Sequence, residues 1–410
     1  MSESIIVSPG VRSIITAQQM PFFFVRQYSG ITRANTNTLT TVVPQILAQG
    51  LLALRGACVM PSLVNSNWGM EVSKKGSTID VPIPSAIATN DVTPSYVAPD
   101  DTGVVPTEAN IPLDQWKEAP FFLNDKERTE AMEGIIPMQA SEAIKSLANT
   151  VNSYIFGLYP KIYGYEGTAG TTPFASDTTF ATALRKRLNV QLAPTGGDRH
   201  VVLDPDAEAN ALNLRAFNDV NFGVDANDIR EGKMARKFGF NWAMDQLVPT
   251  HTTGATGTWL TDQADIAIGD TGIHIDGATA VATAGDIFTV AGDAQTYTIL
   301  TCSALTGTDA DITFSPAAKV AWADSAAITF KADHVLNLGF HRDCFAFATR
   351  PLEDDDATQL GSIIRSAVDP ISGLTLRLEV TRQHKRVRWS FDILYGGLCI
   401  RPELGVRGAG

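Results

Sequence analysis

The chain has 410 residues, 44% of them hydrophobic and 19% charged, with a formal net charge of −12. A chain of this length buries roughly three quarters of its unfolded surface, so it needs no disulfide staples and favours two or more modules. The acidic balance argues against an electrostatic grip on nucleic acid, which needs clustered Lys and Arg, but is compatible with a wall that encloses DNA while barely binding it.

The start, MSESIIVSPG, lacks a basic region followed by an apolar run, and Cys58, Cys302, Cys344 and Cys399 form no CxxC pair. They read as reduced, mostly buried thiols of a cytosolic product. Residues 1 to about 41 are rich in Ser, Thr and Asn around the knot Phe22-Phe23-Phe24 and read as an extended arm. Val42 to Met60 is the most apolar stretch, interrupted by Pro44, Gln45, Gln49 and Arg55. A bilayer would leave those groups unsatisfied, so the stretch reads as a buried helix from Pro44 to about Gly56.

In KKGSTIDVPIP, Ile79, Val81 and Ile83 alternate with Asp80, while Pro82 and Pro84 take the opposite parity. Prolines confine such a strand to an edge. A polar stretch, Ser85 to Asn110, leads to a second extended run, IPLDQWKEAPFFL. Together they predict a projecting hairpin with too little apolar face to stand alone. From Pro137 to Leu158, Ile144, Leu147, Ala148, Val151, Tyr154, Ile155 and Leu158 recur at three and four residues, which predicts a helix of about six turns. A helix around Phe180–Leu192, a turn at PTGGD and the strand RHVVLD follow, and Asp204-Pro205 forms an N-cap pair for the next helix. Glu231 to Pro249 gives a short turn and a strand.

Between His251 and Asp333 the composition changes. These 83 residues hold ten Asp and two Lys but no Glu or Arg, carrying −8 of the −12. The runs GIHIDG, DIFTVAG, TYTILT, DITFSP and AITFK, separated by turn residues, predict a small all-β barrel or sandwich inserted in a loop. Beyond it, HVLNLGFHRDCFAFATRPL is extended, and SGLTLRLEV and VRWSFDILYGG form a hairpin turning at RQHKR, with Gly396-Gly397 breaking the return strand.

No catalytic or metal constellation emerges. Gly396-Gly397 and Gly196-Gly197 lack Walker or dinucleotide spacing and read as bends. The Asp residues of 251–333 lack a calcium loop. Glu353 to Asp356 reads as a solvated loop, a cation site or a partner for a basic patch. His200, His251, His274, His334, His341 and His384 share no metal spacing, and GxSxG is absent. The expectation is no enzyme, no cofactor and no metal. RQHKR is an exposed tip, a contact with an acidic neighbour, or a contact with packaged DNA.

The order of parts resembles the major capsid protein of tailed phages, the Hong Kong 97-type coat fold. VPQILAQGLLALRGACVMPSLVN leading into KKGSTIDVPIP is similar to that family's arm helix and extended loop. GKMARKFGFNWAMDQLVP is similar to its glycine-bounded stretch, here Gly232 with Gly239-Phe240. NLGFHRDCFAFATRPL resembles a further strand, and GLTLRLEV with FDILYGGLCIRPELGVR resembles the closing hairpin of short-tailed Salmonella-type phage coats with an inserted β-barrel.

The resemblance implies an α+β fold with an arm and helix (1–62) and an extended loop (63–123). A peripheral domain with a spine helix (124–175), an axial domain (176–250 and 334–410) and a barrel (251–333) complete it. It implies hexamers and pentamers of an icosahedral head, a separate scaffolding protein, a portal vertex, packaged double-stranded DNA, in some relatives a decoration protein, and assembly in the bacterial host cytoplasm without a membrane. Covalent crosslinking is not carried over. Expected subunit contacts are Lys74, Lys75, Trp116 and the tip residues Arg382, Lys385 and Arg386. The alternative is a nanocompartment shell of the same fold around protein cargo.

Overall fold

A computed structural model describes residues 50, 58–66, 78–83, 87, 89, 94, 107–126, 135–219, 226–234, 236–257, 259–262, 266–350, 352, 362–368 and 374–410. These belong to the compact unit Ile46–Gly410; a separate unit, Met1–Gln45, lies outside them. The expected arm, most of the Pro44–Gly56 helix, Lys74, Lys75 and the acidic run Glu353–Asp356 therefore lie outside the described residues.

Helix α1 (Met60–Leu63) precedes strands β1 (Thr78–Ile83), β2 (Thr107–Pro112) and β3 (Gln115–Asn124), helix α2 (Ile135–Phe156) and β4 (Tyr165–Gly167). Then come α3 (Thr179–Val190), β5 (Arg199–Leu203), α4 (Pro205–Asn213), α5 (Arg215–Asn218), α6 (Ala226–Glu231), β6 (Asn241–Met244) and β7 (Thr250–His251). Strands β8 (Trp259–Thr261), β9 (Gly272–Asp276), β10 (Ile287–Val290), β11 (Tyr297–Cys302), β12 (Ala310–Ser315) and β13 (Ala327–Phe330) close a barrel. The chain ends with β14 (His334–His341), β15 (Phe345–Arg350), β16 (Ser362–Val368), β17 (Thr375–Gln383), β18 (Arg386–Cys399) and β19 (Gly405–Ala409).

Two further sheets frame the fold. One runs β4-β19-β14-β5-β6, with β5 and β6 parallel; the other runs β15-β18-β17-β16, with β3 on the other side of β18. The spine periodicity is realised as α2, which starts and ends two residues earlier than predicted and buries Ile144, Leu147, Ala148, Val151 and Ile155. It lies against β3 and β18. Asp204 caps α4 as expected, its carboxylate accepting from Asp206 N at 3.2 Å.

The barrel contains all five strands the alternation marks. It also contains β8, whose three residues are too short to leave a pattern. Its interior holds Trp259, Phe288, Tyr297, Phe314 and Trp322. The segment is entered and left at paired residues, His251 facing His334 across β7 and β14.

The expected hairpin is narrower than the sequence suggests. Strand β1 pairs antiparallel with β2 from Thr78–Pro112 to Ile83–Thr107, and this two-stranded ladder forms a sheet of its own. The run IPLDQWKEAPFFL divides after Pro112: its second half, β3, joins the main sheet along β18. Ile79, Val81, Ile111 and Leu113 pack on Ala346 and Ala348 of β15, so the foot of this second, two-stranded arm is buried.

The glycine pair departs from expectation. Strand β18 runs unbroken through Gly396 and Gly397. Successive residues face opposite sides of a strand, and here both sides are occupied at contact distance. A Cβ on Gly396 would lie 1.9 Å from the Pro112 carbonyl oxygen, while one on Gly397 would lie 3.1 Å from Leu158 and 3.3 Å from Tyr154. The Tyr154 hydroxyl fills the second space, accepting from Gly397 N at 3.1 Å. The glycines let the arm and the spine helix close on one strand from opposite faces, as strand glycines do where another backbone approaches.

Gly396→Ala is therefore expected to destabilise the unassembled chain by at least about 2 kcal/mol in urea denaturation, because backbone must move to admit the methyl. Gly196→Ala, where a Cβ meets nothing within 4 Å, should change the midpoint by less than about 0.5 kcal/mol.

Candidate assembly surfaces

Helix α2 covers one face of the β3-β18-β17-β16 sheet, where Phe391, Trp389, Leu376 and Leu378 are buried. The other parity, read across the register, brings Glu118 of β3, Asp392 of β18 and Arg377 of β17 into one row, and Phe122, Arg388 and Thr381 into another. This second face carries charge in complementary columns, the arrangement that stabilises cross-strand neighbours.

Trp116, Arg382 and Arg386 all lie along this sheet but not together. Trp116 pairs with Leu394, whereas Arg386 pairs with Asn124 eight residues further along β3. At 3.4 Å per residue the two ends are about 27 Å apart.

Trp116 is 61% exposed, yet its position is fixed. Its Nε1 donates to Asp392 Oδ2 at 2.8 Å, and the Arg377 guanidinium lies 5.8 Å from its ring centroid. Beneath it, Arg377 meets Asp392 in a two-pronged pair at 2.9 and 2.6 Å, with side chains only 12% and 4% exposed. Next along the face, Arg388 pairs with Glu118 at 2.8 Å, and Ser390 Oγ donates to the same carboxylate at 2.9 Å.

At the tip, Arg382 binds Asp125 within the same chain at 2.7 Å. Arg386 donates to Gln383 at 2.6 Å and lies over the Phe122 ring at 5.1 Å. Lys385 holds a left-handed turn conformation, φ 54°, with its side chain exposed and its carbonyl accepting from Asp125 N at 3.0 Å. The tip arginines thus serve first to lock the β17–β18 turn to the end of β3. The sequence marked this basic run but not its acidic partner, because Asp125 is remote in the chain.

A second polar cluster, unmarked by any motif, joins the barrel to the rest. Arg407 of β19 is fully buried and donates to the carbonyls of Gly285 at 2.5 Å and Pro160 at 3.0 Å, beside the Tyr159 ring. Burial brings its pKa down to about 9, still charged at neutral pH. Asp286 is also fully buried; it accepts from His251 Nε2 at 2.9 Å and from the backbone N–H groups of Ala255 and Thr283, each at 3.0 Å. Tyr159 completes the cluster with a 2.7 Å bond to His251 Nδ1.

His334 packs on His251 and donates from Nδ1 to the Ala332 carbonyl at 2.9 Å, while its buried Nε2 has no hydrogen-bond partner among the described residues. Burial, with nearby His251 and Arg407, depresses its pKa to about 4. Cys58, Cys344 and Cys399 are buried and Cys302 is half-buried, all as free thiols; burial pushes Cys58 up to about 12. Among the described residues, no group of three or more His, Cys, Asp or Glu could hold a metal ion, and no helix is long and apolar enough to cross a membrane.

Two outcomes follow from these clusters. Arg377→Ala strands the Asp392 carboxylate in a buried site and should cost about 3–5 kcal/mol in urea denaturation, against about 1 kcal/mol for Trp116→Phe, which removes one donor. His334 is held neutral by the fold, so its contribution is complete above the unfolded value near 6.5 and is lost as pH falls toward 4. The stability difference between wild type and His334→Phe should therefore shrink by up to about 3 kcal/mol between pH 7 and 4; a constant difference would contradict the assignment.

No family model matches the chain, and no curated protein matches it. Among solved structures, it is similar to the capsid of cyanophage P-SCSP1u (13% identity, TM-score 0.48), covering 86% of this chain and 88% of that one. It is also similar to the mature capsid of bacteriophage PhiM1 (9% identity, TM-score 0.46, 86% of each chain) and to the virus-like particle from Pyrococcus furiosus (9% identity, TM-score 0.39, 89% and 97%). In all three the likeness extends along most of both chains.

Proposed function

We propose that this chain is the major capsid protein of a tailed phage, a Hong Kong 97-type tile that assembles into hexamers and pentamers of an icosahedral head around double-stranded DNA. The observation that carries this reading is the two-stranded arm β1–β2. Its foot is clamped in the core at Pro112–Gly396, while neither edge of the ladder pairs with a further strand among the described residues. One face of the ladder packs on β15 of its own subunit, so what it leaves open is its edges, which another subunit can complete.

Supporting features are the spine helix laid across one sheet, α3 packed on β4 and β19 of the second sheet, and the barrel bounded by His251 and His334. In this reading α2 and the β18 sheet form the peripheral domain. The β14-centred sheet forms the axial domain, and 251–333 is the inserted domain. The role is structural, without catalysis. The partners are further copies of the chain, a scaffolding protein, a portal at one vertex and, where present, a decoration protein. DNA is enclosed rather than gripped, in keeping with the −12 charge. Trp116, Lys74, Lys75 and the tip residues Arg382, Lys385 and Arg386 are proposed subunit contacts, in the virion capsid assembled in the host cytoplasm.

Expression of the chain with its neighbouring genes, followed by electron microscopy, should yield closed icosahedral shells whose nuclease-protected content is DNA. Shells filled with protein would favour the nanocompartment alternative. A compact monomer at every concentration would overturn the reading.

A further inference from the structure

Helix α3 ends in an unusual way. Ala193 N bonds to Leu188 O at 2.9 Å and Leu192 N to Asn189 O at 3.1 Å, the paired bonds of a Schellman cap. The residue after the cap must then be left-handed, a place for glycine, yet here it is Leu192 at φ 61°. Leu192 is 87% exposed and its neighbour Val190 62%. Both conformation and solvation are thus unfavourable for an isolated subunit.

The loop beneath is rigidly built. Arg199, 3% exposed, directs its guanidinium to the carbonyls of Pro194 at 2.8 Å and Ala193 at 2.7 Å and to the Asn189 side chain at 2.9 Å. A buried cation that fixes a surface loop presents the apolar knob in one position. The exposed face of α3 leading to it carries Arg185 and Lys186, and an exposed Arg236 lies against the adjoining turn at Gly197. The surroundings of the knob are basic.

A complementary surface exists elsewhere on the molecule. On the barrel, Ile268 is 72% exposed and Val320 47%. Backbone bonds from Gly269 N to Ala318 O (2.9 Å) and from Ala318 N to Asp270 O (2.8 Å) hold the two segments side by side. Asp270 is exposed beside them, and the exposed Lys319 between Ala318 and Val320 is turned to Gln295 Oε1 at 3.1 Å, on a segment carrying −8 overall.

We propose that the Val190–Leu192 knob, with Arg185 and Lys186, docks on the Ile268–Val320 end of the acidic barrel of a second copy of this chain. The knob stands exposed on its own subunit, and its basic surroundings match the net acidity of the barrel segment on a second copy. Because knob and socket are different surfaces, the contact is head-to-tail and propagates into a ring or lattice. The inference rests on the self-assembly reading but names a contact which that reading does not require.

Unassembled full-length chain is titrated through its assembly threshold by light scattering with its scaffolding protein present, and the products are imaged. Leu192→Gly and Leu192→Asn, which keep the left-handed turn, should melt at or above the wild-type temperature and raise the threshold about tenfold or more, as loss of one buried leucine requires. Arg185→Glu and Asp270→Lys should each raise it at low salt, and the double reversal should recover at least half of the loss. Normal shells from both Leu192 variants at the wild-type threshold, or a double reversal no better than either single, overturn the knob while leaving the capsid reading intact. Wild-type chain that never assembles overturns both.

Discussion

The crossing at Gly396–Gly397 is the constraint on which the arrangement depends. A single strand, β18, pairs with β15 and β17 on one edge and with β3 on the other, and at its glycine pair it receives the arm on one face and the spine helix on the other. Five pieces of chain, three of them more than two hundred residues away in sequence, therefore share one strand. The 1.9 Å distance from a hypothetical Gly396 Cβ to the Pro112 carbonyl leaves no space for any side chain. Tyr154 makes the second closure polar as well as steric, since its hydroxyl bonds both to Gly397 N and to Gly397 O. Movement of the arm foot must then be transmitted to β18, and from β18 to the helix behind it.

The elements that follow from local rules were legible in the sequence. The 3.6-residue period of α2, the Asp204-Pro205 cap and the alternation of β17, β18 and five barrel strands need only neighbours in the chain. The glycine pair was misread because its meaning lies in Pro112, nearly three hundred residues away. No local pattern distinguishes a bend from a flat crossing. The division of β2 from β3 was hidden for a related reason, as both halves alternate and only the sheet decides which partner each takes.

The charged face was more accessible than it first seems. Once the turn at RQHKR sets Gln383 against Arg386, counting back places Arg377 opposite Asp392, so a cross-strand ion pair was implicit in the hairpin. The third partner, Trp116 of β3, was not, and it is the indole that closes over the pair. Trp116 was singled out as a subunit contact, but it already has a task within its own subunit. The same holds for Arg382 and Arg386. Any contact these residues make with a neighbour must build on, rather than replace, their bonds inside the subunit.

The distribution of charge limits how copies can meet. Residues 251–333 carry −8 and the rest of the chain −4. A symmetric, face-to-face pairing through the barrels would bring two strongly acidic surfaces within a Debye length of about 10 Å, where repulsion is least screened. Sheet-edge pairing along β3 is hindered as well, because Pro120 cannot donate from that edge. Both routes by which such a chain would form a closed dimer or an open aggregate are thus discouraged by residues already in place. What remains favourable is contact between unlike surfaces, an acidic barrel against a basic helix face. Such contacts leave a free donor and a free acceptor surface on each new copy until a ring closes.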